Sequence, residues 1–157
     1  MKKFTICLLC VLILAAFLGC GPKNTRPADL PDDMTPCAIT ITQEGTPVAG
    51  ATVDLEYSTP VKYRTSGTTD EKGVATMMTY GFAGAQQGEA KALVRKVVTE
   101  GASEAEEYGE AGNSGADFET VDIKYKSLDT TDLTISIGKD NVAETFEVGA
   151  PVHVPAK

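Results

Sequence analysis

From Cys37 onward the apolar residues of this chain fall on every second position, and no stretch carries a 3.6-residue period. That feature leaves little room for an amphipathic helix and predicts half-buried strands. Cys37, Ile39 and Ile41 alternate with Ala38, Thr40 and Thr42, and Val53, Leu55 and Tyr57 alternate with Thr52, Asp54 and Glu56. Farther on, Ala90, Ala92 and Val94 share a face, Leu133, Ile135 and Ile137 alternate with Thr134 and Ser136, and Phe146 and Val148 form a last inward pair. The strand around Leu55 is expected to have one dry face and one wet face, with Asp54 on the wet one. Lys62 to Thr65 reads as a short polar edge strand. Val74 to Tyr80 reads as another strand, and Val121, Ile123 and Tyr125 as a weakly alternating one. The run Glu89 to Thr99 changes pattern at Arg95-Lys96, which predicts a bulge or a change of register before Val97-Val98. About seven short strands without helices predict an all-β chain folded as one Greek-key β-sandwich.

The connections support this reading. Gly45-Thr46-Pro47 is expected to turn the first strand back, and in Thr69-Asp70-Glu71-Lys72-Gly73 the Asp70 carboxylate can cap the turn while Gly73 takes a positive φ. The run Gly45-Thr46-Pro47-Val48-Ala49-Gly50-Ala51-Thr52-Val53, followed by Thr68-Thr69-Asp70-Glu71-Lys72-Gly73-Val74-Ala75, resembles the transthyretin-like, carboxypeptidase regulatory-like domains. The segment from Lys124-Tyr125 through Phe146 is similar to the closing strands of short bacterial lipoproteins that carry such a domain. The resemblance spans residues 37–149 and implies a transthyretin-like (prealbumin-like) sandwich that serves as an accessory or binding module.

Ahead of the strands, Lys2 and Lys3 precede an apolar run from Phe4 to Leu18 that only Thr5 interrupts. A basic start and an apolar stretch of about 15 residues are the parts of a secretory signal, shorter than the ~20 residues a membrane span needs. Phe17-Leu18-Gly19-Cys20 resembles the lipobox of bacterial lipoproteins, with Phe17 where Leu is usual and Leu18 where a smaller residue is usual. That resemblance implies cleavage before Cys20 and acylation of its thiol, hence a palmitate-bearing anchor in the cell envelope. Gly21 in place of the Asp that retains lipoproteins in an inner membrane implies an outer-membrane location facing the periplasm or the surface. An ordinary secretory signal cut nearby, with Cys20 lost or left free, is the other reading. The expected organisation is a signal peptide over 1–19 and a lipidated cysteine with a proline-rich extended tether over 20–36. The sandwich follows over 37–149, with a mobile acidic loop at 100–119, and then a tail over 150–157.

Charge and residue inventory narrow the function. Without Lys2 and Lys3 the chain has 12 basic and 22 acidic residues, net −10, which disfavours nucleic acid and anionic lipid as partners. Cys7 and Cys10 lie in the signal, so with Cys20 acylated only Cys37 remains, a reactive thiol or a small buried hydrophobe. One histidine, His153, cannot build the multi-histidine sites of transthyretin-fold hydrolases, nor an iron or zinc centre, and it reads as a frayed or edge-strand residue. No G-x-S-x-G elbow is present; Gly112-Asn113-Ser114-Gly115 lies in the acidic loop, whose carboxylates match no EF-hand spacing. The expectation is therefore no catalytic site, no cofactor and no metal. Two functions remain: a binding module for an envelope protein or carbohydrate, or a structural spacer with no dedicated ligand. Exposure of Tyr57, Tyr63, Tyr80 and Phe82 would favour recognition, and their burial the spacer.

Overall fold

The computed structural model describes residues 25–101 and 115–156. The expected signal peptide, Cys20 and residues 102–114 of the expected acidic loop lie outside the described residues. Alternation first becomes a ladder at β1, Cys37–Gln43, which buries Cys37, Ile39, Ile41 and Gln43 and half-exposes the residues between them. Two left-handed residues, Glu44 at φ 49° and Gly45 at φ 76°, reverse it into β2, Thr46–Pro47. The turn thus falls one residue earlier than Gly45-Thr46-Pro47 suggests, because Pro47 is in the ladder opposite Thr42.

Glu147 holds that turn. Its carboxylate accepts from the Thr42 hydroxyl at 2.9 Å and from the amides of Glu44 and Gly45 at 2.7 and 3.2 Å. These bonds, the Thr42 hydroxyl first, keep the Glu147 carboxyl below its ordinary value of 4.5. A depressed carboxyl contributes stability above its unfolded pKa and loses it as pH falls through the folded one. Glu147→Gln is therefore expected to melt below the wild type at pH 7, with a gap that closes as pH falls below about 4.5. Melting curves from pH 7 to pH 2 check this, and a gap that stays constant contradicts it.

The remaining strands are β3 Thr52–Tyr57, β4 Thr65–Thr68, β5 Val74–Thr76, β6 Met78–Thr79, β7 Phe82–Ala83 and β8 Gly88–Arg95. After them come β9 Val97–Glu100, β10 Ala116–Glu119, β11 Thr134–Ile137, β12 Val142–Glu147 and β13 Val154–Pro155. They form a six-stranded sheet in the order β11-β8-β3-β4-β6-β7, a second sheet of β12-β1-β2 with β5 on β1, and a small sheet of β13-β10-β9. The named ladders are antiparallel except β1 with β12, which is parallel from Cys37↔Val142 to Thr42↔Glu147. One apolar cluster joins the two larger sheets, with Ile39 and Ile41 from β1 in the same core as Val53, Ala92, Val94 and Ile135. The chain is all-β and sandwich-like, as the alternation predicts.

The described residues hold thirteen strands, shorter than expected, and four of them arise because two of the expected strands change sheet. Val74 to Tyr80 splits at the fully buried Met77, leaving β5 on β1 while β6 passes to β4. Glu89 to Thr99 splits at Lys96, the point where the sequence signals a break, so that β8 and β9 lie in different sheets. The expected polar edge strand at 62–65 is β4, three residues later and internal between β3 and β6. Its one buried residue, Thr65, tolerates burial because its hydroxyl is partnered from both neighbouring strands, 3.3 Å from the Tyr57 hydroxyl and 2.8 Å from that of Thr79. Residues Ile123–Lys126 form a 3-10 turn instead of a strand. The Asp122 carboxylate accepts from the Lys124 amide at 2.9 Å, and the turn buries Tyr125 while leaving Ile123 in solvent.

Described parts of three segments expected to be loose are packed. In the tether, Leu30 and Thr35 are buried, and Thr35 exchanges two 2.9 Å backbone bonds with Ala85. The sixteen residues behind Cys20 therefore do not form a free spacer along their whole length. Both ends of the acidic loop are ladder, since Val97–Glu100 pairs with Ala116–Glu119. Part of the expected tail is β13, which pairs with β10.

Candidate functional site

The alternation that sends Val53 and Leu55 into the core sends Thr52, Asp54 and Glu56 to the outer face of the six-stranded sheet. Register fixes their neighbours. Thr52 stands between Arg95 and Thr68, and Asp54 between Leu93 and Ser66, which is itself opposite Met78. The polypeptide from Glu119 to Thr131 crosses the β8 half of this face: Lys91 donates to the carbonyls of Leu128 and Thr131 at 3.0 and 3.2 Å. The other half, over β3, β4 and β6, is an open groove.

Asp54 is the unexpected member. It is 6 % exposed, not wet, because the Arg64 guanidinium lies over it and pairs with Oδ2. Its Oδ1 is buried without a hydrogen-bond partner. A buried carboxylate oxygen left unpaired costs free energy, and such an atom marks either strain or a place for a donor from outside the chain. Asp54 lines a cavity of about 270 Å³ with Arg64, Leu93, Val94, Arg95 and Lys126. Arg64 also borders a larger groove of about 680 Å³ that runs over Ser66 and Thr68 to Met78 and Tyr80. Lys126 is held at 2.7 Å by Glu119, whose side chain is 4 % exposed. Arg95 has no side-chain partner among the described residues. In a chain of formal net charge −8, three cations thus gather with two carboxylates, Asp54 and Glu119, of which Asp54 is half-satisfied.

Tyr80 sits at the far end of the same groove. Tyr80 is 54 % exposed, and its ring centroid lies 5.2 Å from that of Tyr63 at a tilt of 54°. Tyr63 donates to Asp29, which is also paired with Lys62, and the hydrogen bond to Asp29 raises the Tyr63 phenol above its ordinary value. Phe82 is half-buried with Arg26 5.3 Å above its ring, and Tyr57 is half-buried against the core.

The other residues singled out in the sequence lie elsewhere. Cys37 is 4 % exposed, and burial pushes its thiol up to about 11, so it stays protonated at neutral pH. Of the two readings of Cys37, the structure selects the buried hydrophobe. His153 stacks on Phe118 with centroids 4.0 Å apart and lies 3.9 Å from a carboxylate oxygen of Glu100, on the small sheet. Asp70 caps its turn as expected, accepting from the amides of Lys72 and Val74 at 2.8 and 2.9 Å. Among the described residues, no group of three His, Cys, Asp or Glu side chains is placed to hold a metal ion. Sequence reasoning missed Asp54, Arg64, Arg95 and Lys126 as a set. Each is an ordinary polar residue on a strand or turn, and only the register brings them together.

No family model, no curated protein and no solved structure matches the chain.

Proposed function

We propose that this protein is a non-catalytic binding module of the cell envelope, anchored by acylated Cys20, that recognises an envelope carbohydrate or protein on the outer face of its six-stranded sheet. The transthyretin-like reading of residues 37–149 belongs to the same proposal. The observation that carries it is the exposure of Tyr80 at the end of an open polar groove, with Tyr63 beside it and Arg64 within it. Of the four aromatic residues that bear on the choice, Tyr80 is exposed and Tyr57, Tyr63 and Phe82 are half-buried, and an exposed ring beside a concave polar surface is an arrangement that recognition surfaces favour. The shortened spacer fits an anchored module too, since packing of Leu30 and Thr35 ties the sheet to the end of the chain that leads to Cys20.

The test is capture of envelope glycan and protein fractions by the full-length protein in detergent, run beside Tyr80→Ala and beside Glu144→Gln, which lies on β12 in the other sheet. Saturable capture of one component that Tyr80→Ala reduces by about tenfold, equivalent to ~1.4 kcal/mol, and that Glu144→Gln leaves intact is the expected result. No saturable capture by the wild type supports the spacer instead.

A further inference from the structure

We infer that the cavity at Asp54 is a subsite for a carboxylate-bearing sugar unit, a uronic acid type of residue within a glycan. This inference rests on the binding-module reading and specifies its ligand. The unpaired Oδ1 of Asp54 calls for a donor, and the Arg95 guanidinium, with Arg64 and Lys126 already held by Asp54 and Glu119, calls for an acceptor or an anion. A fully ionised anion such as sulfate satisfies Arg95 but has no proton to donate, so it leaves Oδ1 orphaned and is repelled by it. A simple cation satisfies Oδ1 but meets three positive side chains. A sugar hydroxyl resolves the conflict because it donates and accepts at once: it donates to Asp54 Oδ1 while a neighbouring hydroxyl accepts from the Arg64 guanidinium. A carboxylate on the same ring then pairs with Arg95, the one cation of the three without a side-chain partner among the described residues.

Size and surroundings agree with one ring here and further rings beyond it. The cavity of about 270 Å³ is at the small end of ligand sites and suits a single unit. Arg64 borders both this cavity and the groove of about 680 Å³, so a linear glycan can continue over the hydroxyls of Ser66 and Thr68. Met78, 41 % exposed, and Tyr80 then give the C–H face of a following ring an apolar surface to lie on. For a ligand to reach Oδ1 the Arg64 side chain must shift, and it is free enough to do so, being 63 % exposed.

The experiment is titration of the full-length protein in detergent with trigalacturonate and with the neutral maltotriose, followed by calorimetry, on the wild type, Arg95→Ala and Asp54→Asn. Thermal melts of each variant establish that it is folded. The expected result is that the wild type prefers the acidic trisaccharide by about tenfold or more, the magnitude of one charge-assisted contact. Arg95→Ala erases the preference and Asp54→Asn weakens both ligands. Equal binding of the two trisaccharides, or acidic binding that Arg95→Ala leaves unchanged, overturns the uronic acid subsite while leaving the binding-module reading in place. Absence of binding to either sugar also overturns it, and the capture experiment with Tyr80→Ala then decides separately whether the module binds something else. Should Asp54→Asn fail to fold, Arg95→Ala carries the test alone, because Arg95 is exposed and its side chain lacks a partner among the described residues.

Discussion

Gly73→Ala is expected to lower the thermal midpoint by about 10–15 °C. Gly73 has φ +74°, where a Cβ is strained by roughly 1–2 kcal/mol. The added methyl would also lie 2.6 Å from the Ile41 carbonyl oxygen and 3.1 Å from both the Pro47 Cβ and the Val48 amide nitrogen. Backbone cannot yield as a side chain can, so overpacking adds about 1–3 kcal/mol. The close approach exists because the Ile41 amide donates to the Gly73 carbonyl at 2.8 Å, which stitches the Asp70 turn onto the central strand β1. Two other glycines separate the contributions. Gly45→Ala pays only for φ +76°, with open space around it, and should cost about 1 kcal/mol. Gly138→Ala meets neither strain nor contact and should leave the midpoint unchanged within error. Calorimetric melts of the three variants check the ranking, and a Gly73→Ala midpoint equal to that of Gly45→Ala would refute the steric part.

Complete loss of metabolic palmitate label is the expected consequence of Cys20→Ala. Each buried CH₂ of an acyl chain contributes ~0.8 kcal/mol, one chain binds a bilayer only marginally, and two or more make the attachment stable. A chain with a net charge of −10 after the signal is repelled by anionic headgroups. No helix among the described residues is long and apolar enough to cross a membrane. Gel fluorography of labelled cells compares wild type with Cys20→Ala, using Cys37→Ala as a control because that thiol is buried in the folded domain. Equal label in wild type and Cys20→Ala would sink the lipid anchor.

Much of the fold could be read from the chain because alternation reports directly which side chains a strand turns inward. Ile39, Ile41, Val53, Leu55, Ala92, Val94, Ile135 and Val148 are all expected inside, and all are buried. The cap at Asp70 was legible for a local reason, since an aspartate three residues before a glycine carries its own turn chemistry. Illegible were the points where a strand leaves one sheet for another. Met77 looks like any apolar residue in Val74 to Tyr80, yet it separates two ladders whose partners, β1 and β4, lie on different sheets. Ile123 and Tyr125 alternate as a strand would, but the Asp122 cap and the close crossing over β8 select a 3-10 turn.

That the chain is all-β and that Cys37 begins the first strand could be read from the residues in order. These are properties of neighbours along the chain, and period, cap and apolar run are written there. The burial of Asp54, the unpaired oxygen of its carboxylate and the gathering of Arg64, Arg95 and Lys126 beside it come from the packing of distant strands. Those residues are separated by 10, 41 and 72 positions from Asp54, and their meeting depends on the β4-β3-β8 register and on the segment that crosses β8. A pairing shifted by one residue would place Asp54 against the core and scatter the cations, because a strand's side chains change face at every step. The candidate site is thus a product of register, which no local pattern in the chain encodes.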